Sequence, residues 1–178
     1  MSIPKEPDDV KLICSIFSPE KSLIEKVLEE DLRKRFGDLD WISPELFFDK
    51  SRYYEKEMGW PLYRRFVSFK RLIRPDSIVS IKLFTNEVEY KYSEQGKRRV
   101  NIDPGYISLE KLVLVTGKNY AHRIYLCKGI YAEVTLIYKR GSFRPLEWTY
   151  PDYAQEEIII YFNQIRDRYK KQLRERDA

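Results

Sequence analysis

Glycine, cysteine and histidine are scarce in this 178-residue chain, which has seven, two and one of them. Each scarcity removes a class of chemistry. The few glycines form neither a G-x-x-x-x-G-K-[ST] loop, whose N–H groups and lysine surround phosphates, nor a G-x-G-x-x-G dinucleotide fingerprint. A single histidine, His122, excludes an H-E-x-x-H zinc site and any mechanism that needs two imidazoles. A G-x-S-x-G elbow and an EF-hand loop are also missing. Cys14 and Cys127 lie far apart with no C-x-x-C spacing, so no structural zinc is expected, and both read as reduced thiols. The opening "MSIPKEPDDVK" lacks the apolar stretch of a signal peptide, and no run approaches membrane-spanning length. The expectation is a cytoplasmic protein with no membrane partner.

What is present is ample for a folded core. Hydrophobic residues make up 43% of the chain and aromatics 15%, fourteen of them tyrosines, which is too many for a disordered protein. The length suits one domain over 1–178: a flexible start at 1–9, a core at 10–103, an added helix or strand and hairpin at 104–153, and a closing helix at 154–176. The net charge is +5 and the pI about 9.0. "IRDRYKKQLRERDA" holds six basic residues against three acidic ones, so most of the excess sits at the C-terminal end. Such a balance permits contact with phosphates or nucleic acid.

The periodicity gives an element order. "VKLICSIF" is a nearly continuous apolar run, as in a strand covered on both faces. "SPEKSLIEKVLEEDLRKRFG" predicts a helix with Ser18 as N-cap, Pro19 in its first turn and Gly37 at its end. Ile24, Val27, Leu28, Leu32 and Phe36 share one face. "LDWISPELFF" reads as extended, with Pro44 marking an edge or a bulge. "LYRRFVSFKRL" alternates as a strand, and "RPDSIVSIKLFTNEVEYKYSEQG" suits a helix through Ile78, Ile81, Phe84 and Val88. "RRVNID" alternates again. This order matches a ferredoxin-like βαββαβ core.

"SLEKLVLVTGKN" fits a helix or a strand. "HRIYL" and "IYAEVTLIYK" around "CKG" read as a hairpin. A three-residue loop with Gly129 left-handed would pair Leu126 with Ile130, Arg123 with Glu133 and His122 with Val134. That register sets His122 and Glu133 on opposite faces, His122 on the apolar one. Trp148, Tyr150 and Tyr153 are expected beneath the last helix, whose apolar face is Ile158, Phe162, Ile165, Tyr169 and Leu173, with Arg166, Lys170 and Arg174 elsewhere on its surface. The fold expected is therefore α+β: an antiparallel or mixed sheet with helices against one face, a ferredoxin-like core, an added hairpin and a C-terminal amphipathic helix.

The strings "YYEKEMG", "IKLFTNE", "RRVNIDPGYIS", "NYAHRIYL", "GIYAEVTL" and "WTYPDY" resemble a bacterial domain-of-unknown-function family of small single-domain proteins. The likeness spans nearly the whole chain and implies no established activity. Some members carry the label GTP-binding protein, and the missing P-loop lends that label no support here.

One stretch carries the functional expectation. In "RRVNIDPGYIS" alternation sets Val100 and Ile102 on one face and Arg99, Asn101 and Asp103 on the other. Pro104 and Gly105 fit a type II turn with Asp103 at its first position. Asn101 and Asp103 are then either turn punctuation or the polar lip of a site at a strand's end. "GKNYAHR" adds Lys118, His122 and Arg123, donors able to hold a phosphate. Tyr54, in a tyrosine-rich loop, could stack on a base. The leading expectation is a protein binding a phosphorylated ligand, a nucleotide, through Arg99, Lys118 and Arg123, with Asn101, Asp103, Glu133 and Tyr54 orienting it and no certain cofactor. One alternative is a Mg²⁺-assisted phosphoryl-transfer or phosphodiester enzyme with Asp103 and Glu133 on the metal and His122 and Asp103 catalytic. Another is an RNA- or protein-binding module acting through the C-terminal helix and exposed aromatics.

Overall fold

The computed structural model describes residues 1–49 and 52–177. β1 (Lys11–Ser18) is buried along its whole length and lies between β4 (Leu62–Phe69) and β5 (Asn101–Ile107), antiparallel to both. Burial on both faces is what its unbroken apolar run requires. β2 (Leu39–Ile42) and β3 (Leu46–Phe48), the two halves of "LDWISPELFF", pair with β4 on either side of Pro44. β6 (Lys111–Thr116) follows β5, and then β8 (Ile130–Lys139), which carries β7 (Ile124–Cys127) against one half and β9 (Ser142–Pro145) against the other. The order β2-β4-β1-β5-β6-β8-β7 makes a nine-stranded sheet, and every ladder among the described residues is antiparallel.

Alternation along β1 divides the core. Leu12, Cys14 and Ile16 pack with α1 (Lys21–Val27), α2 (Arg33–Phe36) and α4 (Ile78–Lys91). Ile13 points the other way, towards α5 (Glu156–Asp177), whose Ile158, Phe162, Ile165 and Tyr169 are buried as their spacing predicts. Helices therefore cover both faces, not one. Phe17, Phe48, Met58 and Leu62 form a smaller cluster near α3 (Glu55–Met58). The α+β class holds. Where the expected ferredoxin-like unit has four strands, this stretch has five, because "LDWISPELFF" supplies two.

Several local expectations change. The first helix begins at Lys21, not beside Ser18; Ser18 ends β1 and uses its hydroxyl to bond the Arg99 carbonyl and the Glu20 amide. A π turn, Leu28–Leu32, joins α1 to α2, and Gly37 at φ 91° ends the run as expected. "KLVLVT" is a strand. The hairpin keeps Ile124 opposite Ala132 but turns through Lys128 and Gly129 alone, both at positive φ, and Cys127 pairs with Ile130. A bulge between Tyr125 and Cys127 absorbs the one-residue difference. Its outer strand is exposed throughout, so the face assigned to His122 is not core. Arg166 is buried over the Tyr138 ring, not on the helix surface.

The largest correction concerns Pro104–Gly105. No turn forms there: β5 runs straight through both, Pro104 opposite Cys14 and Gly105 opposite Ile13 and Leu114. A Cβ on Gly105 would lie 2.4 Å from the Val113 carbonyl oxygen, so glycine serves close strand approach.

Candidate functional site

β5 pairs with β1 from Asn101 to Ile107, but with β6 only from Gly105 to Ile107. The sheet is split along the first half of β5. Ile102 turns its backbone N–H and C=O away from β1, towards the missing neighbour, and α4 supplies partners for both. Glu89 Oε1 accepts the Ile102 amide at 2.6 Å and Lys82 Nζ donates to the Ile102 carbonyl at 3.1 Å. Pro104, two residues on, directs its nitrogen the same way and has no proton to give. Pairing with β6 stops at that point.

The split opens into a cavity of about 730 Å³, within the usual range for small-molecule sites. Asn101 and Asp103 of β5 face Leu114, Val115 and Thr116 of β6 across it. Lys82, Asn86 and Glu89 enter from α4; Tyr54, Phe48 and Phe17 come from the small cluster; Tyr150, Asp152 and Tyr153 come from the segment before α5. Glu89, Asn101, Arg64 and Tyr153 are buried, whereas Lys118, Asn86 and Tyr150 are exposed, so the rim and the deep wall differ in character.

Its charges are mostly matched. Arg98 grips Glu57 through Nε and Nη2, at 2.7 and 2.8 Å, and bonds Asn101 Oδ1 at 2.8 Å. Asn101 in turn donates to Asp103 Oδ2 at 2.8 Å. The Arg98–Glu57 hydrogen bonds raise the Arg98 pKa and hold that of Glu57 below its ordinary value. Arg64 pairs with Asp152 beneath the rings of Phe17, Phe48, Phe66 and Tyr153. Burial raises the pKa of Glu89, and of the Tyr54 phenol, which keeps its proton and can donate. Lys118 alone among the lining cations has no ion-pair partner among the described residues; its Nζ meets the Tyr53 hydroxyl at 3.3 Å.

Glu133 is the hub of the opposite wall. Its side chain is 2% exposed, and Oε2 meets both His122 Nε2, at 3.0 Å, and Arg123 Nε, at 2.7 Å. Arg123 is anchored further by the Lys118 carbonyl and the Tyr150 hydroxyl, and His122 stacks on Trp148 with the rings 10° apart. Burial opposes the Arg123 cation, yet its interactions with Glu133 and Tyr150 together outweigh it and raise its pKa. His122 and Glu133 are thus in contact, contrary to the opposite faces expected, because His122 lies in a turn ahead of β7 and is free of strand alternation.

Of the residues singled out from the sequence, Tyr54, Asn101, Asp103, Lys118 and Glu133 line the one cavity. His122 and Arg123 stand behind Glu133, outside the lining. Arg99 is elsewhere: it precedes β5 and pairs with Glu20 and Glu94. Trp148 and Tyr150 do not pack beneath α5; Tyr153 does, stacked on Phe162. Sequence reasoning missed Lys82, Asn86 and Glu89, whose spacing of four and three on one helix was the available signal. It also passed over Arg64 and Asp152, which only the fold brings together. Among the described residues no three His, Cys, Asp or Glu side chains form a metal-binding group. Asp103 and Glu133, the pair expected to hold Mg²⁺, both line the cavity. No described helix is long and apolar enough to cross a membrane.

The arrangement can enclose a small polar molecule between aromatic faces, with acceptors deep and a cation at the rim. No curated protein and no solved structure shows significant similarity to the chain. A family model described as a domain of unknown function, DUF4416, matches residues 8–169, so the chain belongs to that family.

Proposed function

We propose that the cavity binds a phosphorylated small molecule, a nucleotide. The observation that carries this reading is the split between β5 and β6, which places Tyr54, Asn101, Asp103, Lys118 and Glu133 around one space of nucleotide size. Tyr54 and Tyr150 line the space and supply aromatic surface for a planar base. Asn101 and Asp103 orient the sugar. Lys118, exposed and unmatched by a carboxylate among the described residues, takes the phosphate at the rim, and the Gly117 amide lies beside it. Arg99, committed to Glu20 and Glu94, is left out of the contact set. The intracellular location read from the thiols belongs with this proposal.

The RNA-binding reading loses part of its basis, since Arg166 is buried and Arg176 pairs with Asp9. The enzymatic reading gains no observation beyond the shared cavity, because His122 touches Glu133 and does not line it.

Thermal-shift and calorimetric titrations with nucleoside mono-, di- and triphosphates and with sugar phosphates test the proposal. A nucleotide is expected to raise the melting temperature. Lys118→Ala is expected to weaken binding about tenfold by removing a charge-assisted hydrogen bond, while Arg99→Ala leaves it unchanged. A flat response across the panel sinks the reading.

A further inference from the structure

Glu133 is a buried carboxylate that is satisfied on one oxygen only. Oε2 takes His122 and Arg123, and Oε1 has no hydrogen-bond partner among the described residues. A buried acceptor without a donor is costly, and native structures leave few of them. The carboxylate cannot turn away, because Arg123 is itself fixed by the Lys118 carbonyl and the Tyr150 hydroxyl and His122 is fixed by Trp148. Glu133 belongs to the cavity wall opposite Leu114, three residues inside β6 from the rim at Gly117. Its charge is already answered by Arg123, so the free oxygen needs a neutral donor, not a cation.

We propose that the ligand's base carries an exocyclic amino group, and that this group donates to Glu133 Oε1. The inference rests on the nucleotide reading above. With the phosphate at Lys118, the base is the part that reaches Glu133, and the sugar lies between. An exocyclic amino group projects beyond the ring and reaches a recessed oxygen alone. A lactam N–H sits within the ring beside carbonyl oxygens, which would meet the carboxylate lone pairs. Carboxylate acceptors pair with such amino groups where proteins read cytosine edges. Adenine, cytosine and guanine satisfy the site, and uracil does not. Arg123 and His122 are positioning residues that hold Glu133.

Calorimetry on the full chain with matched pairs decides the point: AMP against purine riboside 5′-monophosphate, CMP against 2-pyrimidinone riboside 5′-monophosphate, and GMP against IMP, with UMP alongside. Members of each pair differ by one amino group. The amino-bearing member of the bound pair is expected to bind at least about tenfold tighter, the loss typical when a buried acceptor is left unpaired. Glu133→Gln should shrink that ratio below about threefold, and the wild-type pairs decide alone if this variant does not fold. Equal affinity within the bound pair, UMP as the tightest ligand, or full discrimination surviving in Glu133→Gln overturns the amino-group assignment and leaves nucleotide binding standing. Absence of binding by every nucleotide overturns both.

Discussion

Glu89 accepts the backbone amide of Ile102 at 2.6 Å, so a helix carboxylate holds the position that a neighbouring strand fills elsewhere in the sheet. Glu89→Ala removes the acceptor and leaves a buried N–H, at a cost of about 1–3 kcal/mol. Glu89→Gln keeps a carbonyl oxygen there and should cost less. Urea denaturation of the two variants measures the difference.

The same residue gives a pH signature. Burial raises the Glu89 pKa above its ordinary 4.5, so the native state binds this proton more readily than the unfolded chain in the window above 4.5. Its contribution to stability is therefore greatest at low pH and falls as pH rises through that window. Glu89→Gln has no such fall. The variant should gain on the wild type between pH 4 and pH 7, and parallel stability curves would refute the assignment.

Glu57 runs the opposite way. Hydrogen bonds from Arg98 hold it below 4.5, so its contribution is present above 4.5 and is lost as pH falls towards the depressed value. Glu57→Gln should be less stable than the wild type at pH 7 by about 0.5–1 kcal/mol, a modest figure because the pair is partly exposed. The gap should narrow as the pH falls from 7 to 3. Denaturation midpoints at the two pH values check this.

Gly105→Ala brings a methyl carbon to 2.4 Å from the Val113 carbonyl oxygen and 2.8 Å from Leu114 Cδ2. The side chain can give way but the backbone cannot without parting β5 from β6. A loss of at least about 1–3 kcal/mol is expected, as for overpacked cores, and thermal unfolding would show it.

The two thiols should differ sharply. Cys14 is buried in β1, and burial raises its pKa, whereas Cys127 is exposed on β7. Ellman's reagent should titrate one thiol in the native protein and both after denaturation. Reaction of both under native conditions would contradict the packing of β1.

An unbroken apolar run was enough to place β1 inside the sheet, and periodicity was enough to set the apolar face of α5 and to put Asn101 and Asp103 on one side of their strand. Pro104–Gly105 misled because a proline and a glycine in a row satisfy a turn equally well. Only the partner strands distinguish a turn from a ladder that ends on one side. Helices on both faces could not be read from the order of elements, because α5 reaches its face from the far end of the chain. His122 escaped its strand register by lying in a turn. Lys82 and Glu89 were not singled out from the sequence, and their role emerged only once Ile102 was seen to lack a strand beside it.

An interior break in a sheet ordinarily invites a foreign strand to add to it, since bare main-chain groups template further pairing. Here the bare groups of Ile102 are already occupied by α4, and Pro104 offers no proton to an incoming backbone. Along the β5 side of the gap, therefore, an incoming peptide finds no free rung to grip at Ile102 or Pro104.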